Sequence, residues 1–392
     1  MKVTVVGLGQ CGGRIADEFD QINKRAKSRR GLEIITGSFA VNTDTADLSG
    51  LDSIKADYQH RILIGGKVTR GHGVAKLNEL GAEIAREDAD KVIEAMRTAK
   101  RFYETDAIFT VAGAGGGTGS GAMPIMIQRM KQRYLDKPVY AIVVLPFDHE
   151  TQTEERTIYN TAVCLKSTYM VADAVFLIDN QRYIRKDYTL RNNVTKINKL
   201  IVEPFYNLFC AGEEKRSKHI GTKVLDAGDI MQTLSGWTVM GYGKADLPLI
   251  KFPFEVTRNF IKKSTETQKG IQSMDETISE LSVQCDTRDA ARALYLLSAP
   301  AGEMNMDLVK ELGDYLQSLA PNAVIRSGDY PVERGLMDIV IILSQLKEVE
   351  RARDFYNKSV GIAEEIKRKL AASSQGVSLT EEAAKHVPTF LE

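Results

Sequence analysis

The chain has 392 residues, 43% of them hydrophobic and 27% charged, a soluble-type composition long enough for two domains. Lys plus Arg and Asp plus Glu each number 52, so there is no global basic field for sequence-independent binding of DNA or RNA, and no nucleic-acid partner is expected. No uncharged apolar run approaches the roughly 18 residues of a membrane helix, so no integral membrane segment is expected.

From Met1 the chain runs straight into the apolar stretch VTVVGLG, without the succession of segments that marks an exported leader; a cytoplasmic location is the expectation. Residues 3 to 8 predict a strand, Gly9-Gln10-Cys11-Gly12-Gly13 a glycine turn, and Arg14 to about Lys27 a helix. A second strand is expected from about Gly37 to Asn42, ending in Asn42-Thr43-Asp44. A third, Arg61 to Ile64, leads to Gly71-His72-Gly73, and a charged helix follows from about Asn78 to Ala99. The strand predicted at Ala107 to Ala112 opens into a loop with six glycines between Gly113 and Gly121, and Ala122 to Tyr134 reads as an apolar helix. Strand Val139 to Leu145, a polar loop with a helix to about Tyr169, and strand Ala174 to Ile178 complete an alternating pattern that implies a mostly parallel sheet. Ligands in such sheets bind beyond the carboxyl ends of the strands.

Leu190 to Ala211 predicts one long apolar helix, with Pro204 arguing for a kink or break. Beyond it, strand Ala293 to Ser298, helix Met306 to Leu319, strand Asn322 to Ser327 and strand Leu336 to Leu343 form a smaller α+β unit, and Glu348 to Leu370 a charged helix. The domain expectation is 1–215, 216–346, and a C-terminal helix and tail over 347–392. Cys11, Cys164, Cys210 and Cys285 lie far apart with no CxxC pair, as suits reduced thiols. The five histidines form no metal-binding cluster.

A loop so rich in glycine, set between a strand and a helix, can bring backbone N–H groups and a helix N-terminus onto an oxyanion. Thr118 and Ser120 add hydroxyl donors. The GxxxxGK[ST] pattern is absent, and although Gly7-Leu8-Gly9-Gln10-Cys11-Gly12 has GxGxxG spacing, it is not read as a dinucleotide fingerprint; the glycine-rich loop at 113–121 points to a different phosphate cradle and disfavours a nucleotide-dependent oxidoreductase.

Gly115-Gly116-Gly117-Thr118-Gly119-Ser120-Gly121 resembles the glycine signature of tubulin and FtsZ, and Gly9-Gln10-Cys11-Gly12 resembles the first nucleotide loop of tubulins. Asn42-Thr43-Asp44 is similar to the second loop. Gly71-His72-Gly73 stands at the γ-phosphate-sensing loop, and Pro146 to Arg156, with Glu155, at the ribose-contacting loop. Asp179-Asn180 resembles the pair that touches guanine, and Asn198 stands at the second guanine contact. The overall texture is closest to the archaeal CetZ branch of that superfamily. The family's stacking aromatic is replaced here by Val194.

The resemblance implies a Rossmann-like α/β GTPase domain joined by a long central helix to a smaller α+β domain, with GTP/GDP and Mg²⁺ as ligands and the ion held mainly by phosphates and water. Asp226 and Asp229, three apart at a predicted helix start, resemble the two acids of the FtsZ catalytic loop, with Val224 where that loop often has Asn. In that family this loop completes the active site of the next subunit, which implies GTP hydrolysis coupled to head-to-tail filaments and a role in cell shape or division. The same two acids also suit a helix N-cap and first turn. The alternative is a nucleotide-binding structural or regulatory relative with weak hydrolysis and assembly. The terminal segment Pro388 to Glu392 is a candidate peptide for accessory partners.

Overall fold

The computed structural model describes residues 1–184, 190–246, 260–333 and 335–372; the expected partner peptide at Pro388 to Glu392 lies outside these. In chain order the elements are β1 (Val3–Leu8), α1 (Gly9–Arg30), β2 (Ile35–Asn42), α2 (Thr45–Ser49), β3 (Arg61–Leu63), α3 (Gly66–Thr69), α4 (Asn78–Thr98), β4 (Ala107–Gly113), α5 (Thr118–Arg133), β5 (Val139–Leu145), α6 (Asp148–Thr153), α7 (Glu155–Val171) and β6 (Ala174–Asp179). There follow α8 (Leu190–Ala211), α9 (Ala227–Thr233), β7 (Gly236–Asp246), α10 (Phe260–Ser279), β8 (Arg292–Ala299), α11 (Met306–Leu319), β9 (Val324–Pro331), β10 (Leu336–Leu346) and α12 (Glu350–Ala372).

The chain forms two compact units: Lys2–Glu203 with Val349–Glu392, and Pro204–Glu348 with Met1. In the first, β3-β2-β1-β4-β5-β6 lie side by side and every pairing is parallel. β1, β4, β5 and β6 are buried at nearly every position, as continuous Val, Ile and Ala runs covered on both faces require. The register sets Leu8 beside Val41 and Ala112, Gly113 beside Val144, and Leu145 beside Asp179. These five strands therefore end within two residues of one level, at Leu8, Asn42, Gly113, Leu145 and Asp179. α12 packs on α7, so the C-terminal helix belongs to this unit.

In the other unit β10 pairs antiparallel with β7 and β8, and β9 runs parallel to β8. The stretch 236–246, not anticipated as a strand, is one because its backbone is paired along β10 and its Gly241 and Gly243 admit α10 at van der Waals distance. The sequence expectation of a kink or break at Pro204 is corrected in one respect: α8 is continuous as an α-helix from Leu190 to Ala211. Proline removes one helical hydrogen bond, and burial of Phe205, Leu208 and Phe209 on the following turn offsets that loss.

Candidate nucleotide-binding cleft

The five strand ends open onto a cleft of about 310 Å³ in the first unit. Two helices begin inside it. The expected turn Gly9 to Gly13 is the first turn of α1 instead of a loop, and Thr118 to Gly121 is the first turn of α5. Gly9 alone carries the left-handed conformation (φ 70°) that turns β1 into α1. Gly12 is glycine for packing: a Cβ there would fall on the Val111 carbonyl oxygen, so α1 could not lie so close to β4.

Gly9, Gln10, Cys11, Asn42, Asp44, Gly73, Gly115, Gly116, Gly117, Thr118, Gly119 and Asn180 all line the cleft, brought together from five strand ends. Gly12, Gly71, His72, Ser120, Glu155 and Asn198 do not. The Ser120 hydroxyl is buried and donates to the Gly116 carbonyl, closing its own helical turn. Gly71 (φ 80°) shapes the third loop, and exposed His72 forms an isolated bridge with Asp44. Glu155 begins α7 exposed, and Asn198 is buried on α8.

Gly116 differs from its neighbours. A Cβ at Gly115 would strike Thr157 and one at Gly117 would strike Val74, whereas one at Gly116 would meet nothing within 4 Å. Its open side is where a ligand can approach the backbone. Thr118, at the start of α5, shares a 2.7 Å hydrogen bond between its hydroxyl and that of Thr43, locking the second loop to the glycine turn.

Several residues at the site were not anticipated. Asp47 accepts from Gln10 Nε2 (2.6 Å) and Asn42 Nδ2 (2.9 Å), tying the first two loops. Its signal was readable, since Asp44 caps α2 by accepting from the Ala46 and Asp47 N–H groups. Glu150 presents the carboxylate of the Pro146–Arg156 segment to the cleft, and the Phe147 N–H donates to it at 2.8 Å. Buried Asn160 donates from Nδ2 to the carbonyls of Lys76 (2.9 Å), Gly116 (3.1 Å) and Gly115 (3.3 Å). Arg351 of α12 reaches Asp148 (2.6 Å) and Asp179 (3.3 Å), bracing the segments that carry Glu150 and Asn180. Burial raises the Asp179 carboxyl above its ordinary pKa, and Arg351 opposes that rise. Burial, and then the charge of Glu150, push the Cys11 thiol up to about 12.

Asp226 and Asp229 stand in the other unit. Asp226 is the N-cap of α9, its Oδ1 accepting from the Asp229 N–H at 2.9 Å. Asp229 Oδ1 lies 3.4 Å from Arg326 Nε, with its side chain 41% exposed. Val194 is half-buried on α8 and Val224 is exposed. Among the described residues no three His, Cys, Asp or Glu side chains gather to hold a metal ion, and no helix is long and apolar enough to cross a membrane.

Residues 2–186 match the model of the Tubulin/FtsZ family GTPase domain, and residues 187–361 that of the tubulin-like CetZ C-terminal domain. The chain is 30% identical over 377 residues to Tubulin-like protein CetZ1 of Haloferax volcanii, covering 92% of each protein. It is similar to the structure of a GDP-bound CetZ1 monomer from that organism, with a TM-score of 0.78 at 28% identity over 93% of this chain and 100% of that one. The GTPγS-bound CetZ2 protofilament from Haloferax volcanii superposes with a TM-score of 0.80 at 26% identity, covering 94% of this chain and 100% of that one.

Proposed function

Because the chain belongs to the tubulin/FtsZ family, in its CetZ branch, we propose that it is a GTP-binding, GTP-hydrolysing cytoskeletal protein of the cytoplasm that assembles head to tail into filaments. The observation that carries the nucleotide reading is the cleft at five strand ends, where two helices begin and where Gly116, at which a Cβ would meet nothing within 4 Å, is among the lining residues. Backbone N–H groups of residues 9–11 and 115–119 bind the phosphates, Asn180 meets the base, and Glu150, more directly placed than Glu155, meets the ribose. A contact from Asn198 requires the base to extend past the present lining.

Mg²⁺ fits as an ion held by phosphate oxygens and water. Asp44 and Asp47 line the same cleft but are engaged by backbone and amide donors, so neither presents a bare carboxylate cage. When bound, the ion would neutralise phosphate charge. The chain's own acids for positioning the attacking water are Asp226 and Asp229, supplied by the next copy along the filament. Support for assembly comes from the protofilament form of the CetZ2 relative, and we extend the proposal to a role in cell shape or division.

A second reading, a nucleotide-binding relative with weak hydrolysis, is favoured by the structural duties of the two acids: one caps a helix and the other faces Arg326. Phosphate release and light scattering, followed together at rising protein concentration, separate the two. For the proposed function, activity per molecule climbs with concentration, and Asp229→Ala still binds GTP while hydrolysis is lost. Flat activity, indifferent to that substitution, would remove the acids from the reaction and leave the second reading.

A further inference from the structure

We propose that Lys76 contacts the terminal phosphate of a bound nucleoside triphosphate, and that its ion pair with Glu154 is the position it takes when that phosphate is missing. The inference rests on the nucleotide reading above and assigns that site a cationic side chain beside the metal ion.

Charge is the first ground. Asp44, Asp47 and Glu150 line the cleft, and Lys76 is the one lysine or arginine among its described lining residues. A polyanion entering a space bordered by three carboxylates needs positive charge beyond backbone dipoles.

Placement is the second. The Lys76 carbonyl shares the Asn160 amide with the carbonyls of Gly115 and Gly116, so its backbone is fixed to the turn that receives phosphate. A Cβ on Gly117 would touch the Lys76 backbone, which shows how closely the third loop and the glycine turn lie. Ala75 and Lys76 both have left-handed φ, 47° and 60°, a conformation that non-glycine residues hold only where surroundings enforce it.

The third ground is the weakness of what restrains the ammonium. Nζ lies 2.6 Å from Glu154 Oε2 and 3.1 Å from the Thr157 hydroxyl. Lys76 and Glu154 side chains are 40% and 45% exposed, so water screens their attraction. Thr157 itself lines the cleft, so Nζ already stands at its border. Rotation of a four-carbon stem from an exposed carboxylate to a phosphate needs no backbone movement. A diphosphate, lacking the terminal group, leaves Lys76 with Glu154.

The test is competition of GTPγS and GDP against a fluorescent guanine nucleotide, measured on the full chain below its assembly concentration for wild type, Lys76→Met, Lys76→Arg and Glu154→Gln. Met keeps the stem and the same backbone demand without the charge. We expect Lys76→Met to weaken GTPγS about tenfold or more while GDP changes by less than about threefold. Lys76→Arg keeps much of the preference for GTPγS, and Glu154→Gln increases it. Equal losses for both nucleotides in Lys76→Met, or none, in a variant with wild-type circular dichroism would overturn the role of Lys76 alone. Wild-type protein that binds neither nucleotide would bring down the nucleotide reading and Lys76 with it.

Discussion

The Cys11 thiol borders the nucleotide cleft, yet burial and the facing Glu150 charge push its pKa up to about 12. Only the thiolate is nucleophilic, so at pH 8 its reactive fraction falls about a thousandfold below that of an ordinary thiol of pKa 9.0. Iodoacetamide labelling followed by peptide mass analysis at pH 8 should therefore leave Cys11 unmodified long after a model thiol is consumed. Cys164, likewise raised to about 12 by burial, should behave the same way. Thr118 and Ser120 show a second lesson at this scale. Both read as phosphate donors from type and position, but only Thr118 lines the cleft, because helical geometry turns Ser120 back onto the Gly116 carbonyl.

The glycines of the α5 element divide by what surrounds them. A Cβ at Gly121 would collide with the Asn78 carbonyl oxygen of α4, whereas one at Gly116 meets open space and its φ is not left-handed. Gly121→Ala should destabilise the fold by about 1–3 kcal/mol through overpacking, read as a lowered denaturant midpoint. Gly116→Ala should leave the unfolding free energy within about 0.5 kcal/mol while nucleotide affinity drops, as measured by fluorescent nucleotide titration. If Gly116→Ala binds normally, the phosphate is not approaching that face. α1 and α5 both begin earlier than the glycine content suggested. Glycine's poor helix propensity is a local term, and here close packing on the neighbouring strand and on α4 outweighs it.

At the scale of the molecule, the nucleotide cleft lies in one unit while Asp226 and Asp229 lie in the other, and the proposed filament brings one copy's acids to the next copy's nucleotide. A heterologous contact of this kind makes complementation possible. Asp229→Ala supplies a working cleft, and a nucleotide-deficient variant such as Gly116→Ala supplies working acids. An equimolar mixture should hydrolyse GTP at roughly a quarter of the wild-type rate, since one pairing in four is competent. Phosphate release from the mixture no faster than the sum of the two separate variants would count against shared sites. Family membership carried the expectation of assembly; nothing in the composition of a neutral chain does so.

The alternation of strands and helices, the glycine-rich segments after β1 and β4, and the acids at a helix start are legible in the chain alone. Each is written in local spacing: apolar runs, glycine between a strand and a helix, Asp226 three residues before Asp229. The near-level ending of five strands, and with it the cleft, follows from pairing register between segments far apart in sequence, which is set once those segments pack together. The same holds for Glu150 over Glu155 as the cleft carboxylate, and for the bracing by Asn160 and Arg351, the latter from a helix more than 160 residues beyond the site segments it holds. The phase of a helix start and a hydrogen bond to a distant carbonyl depend on where other segments come to rest, and no window of neighbouring residues encodes them.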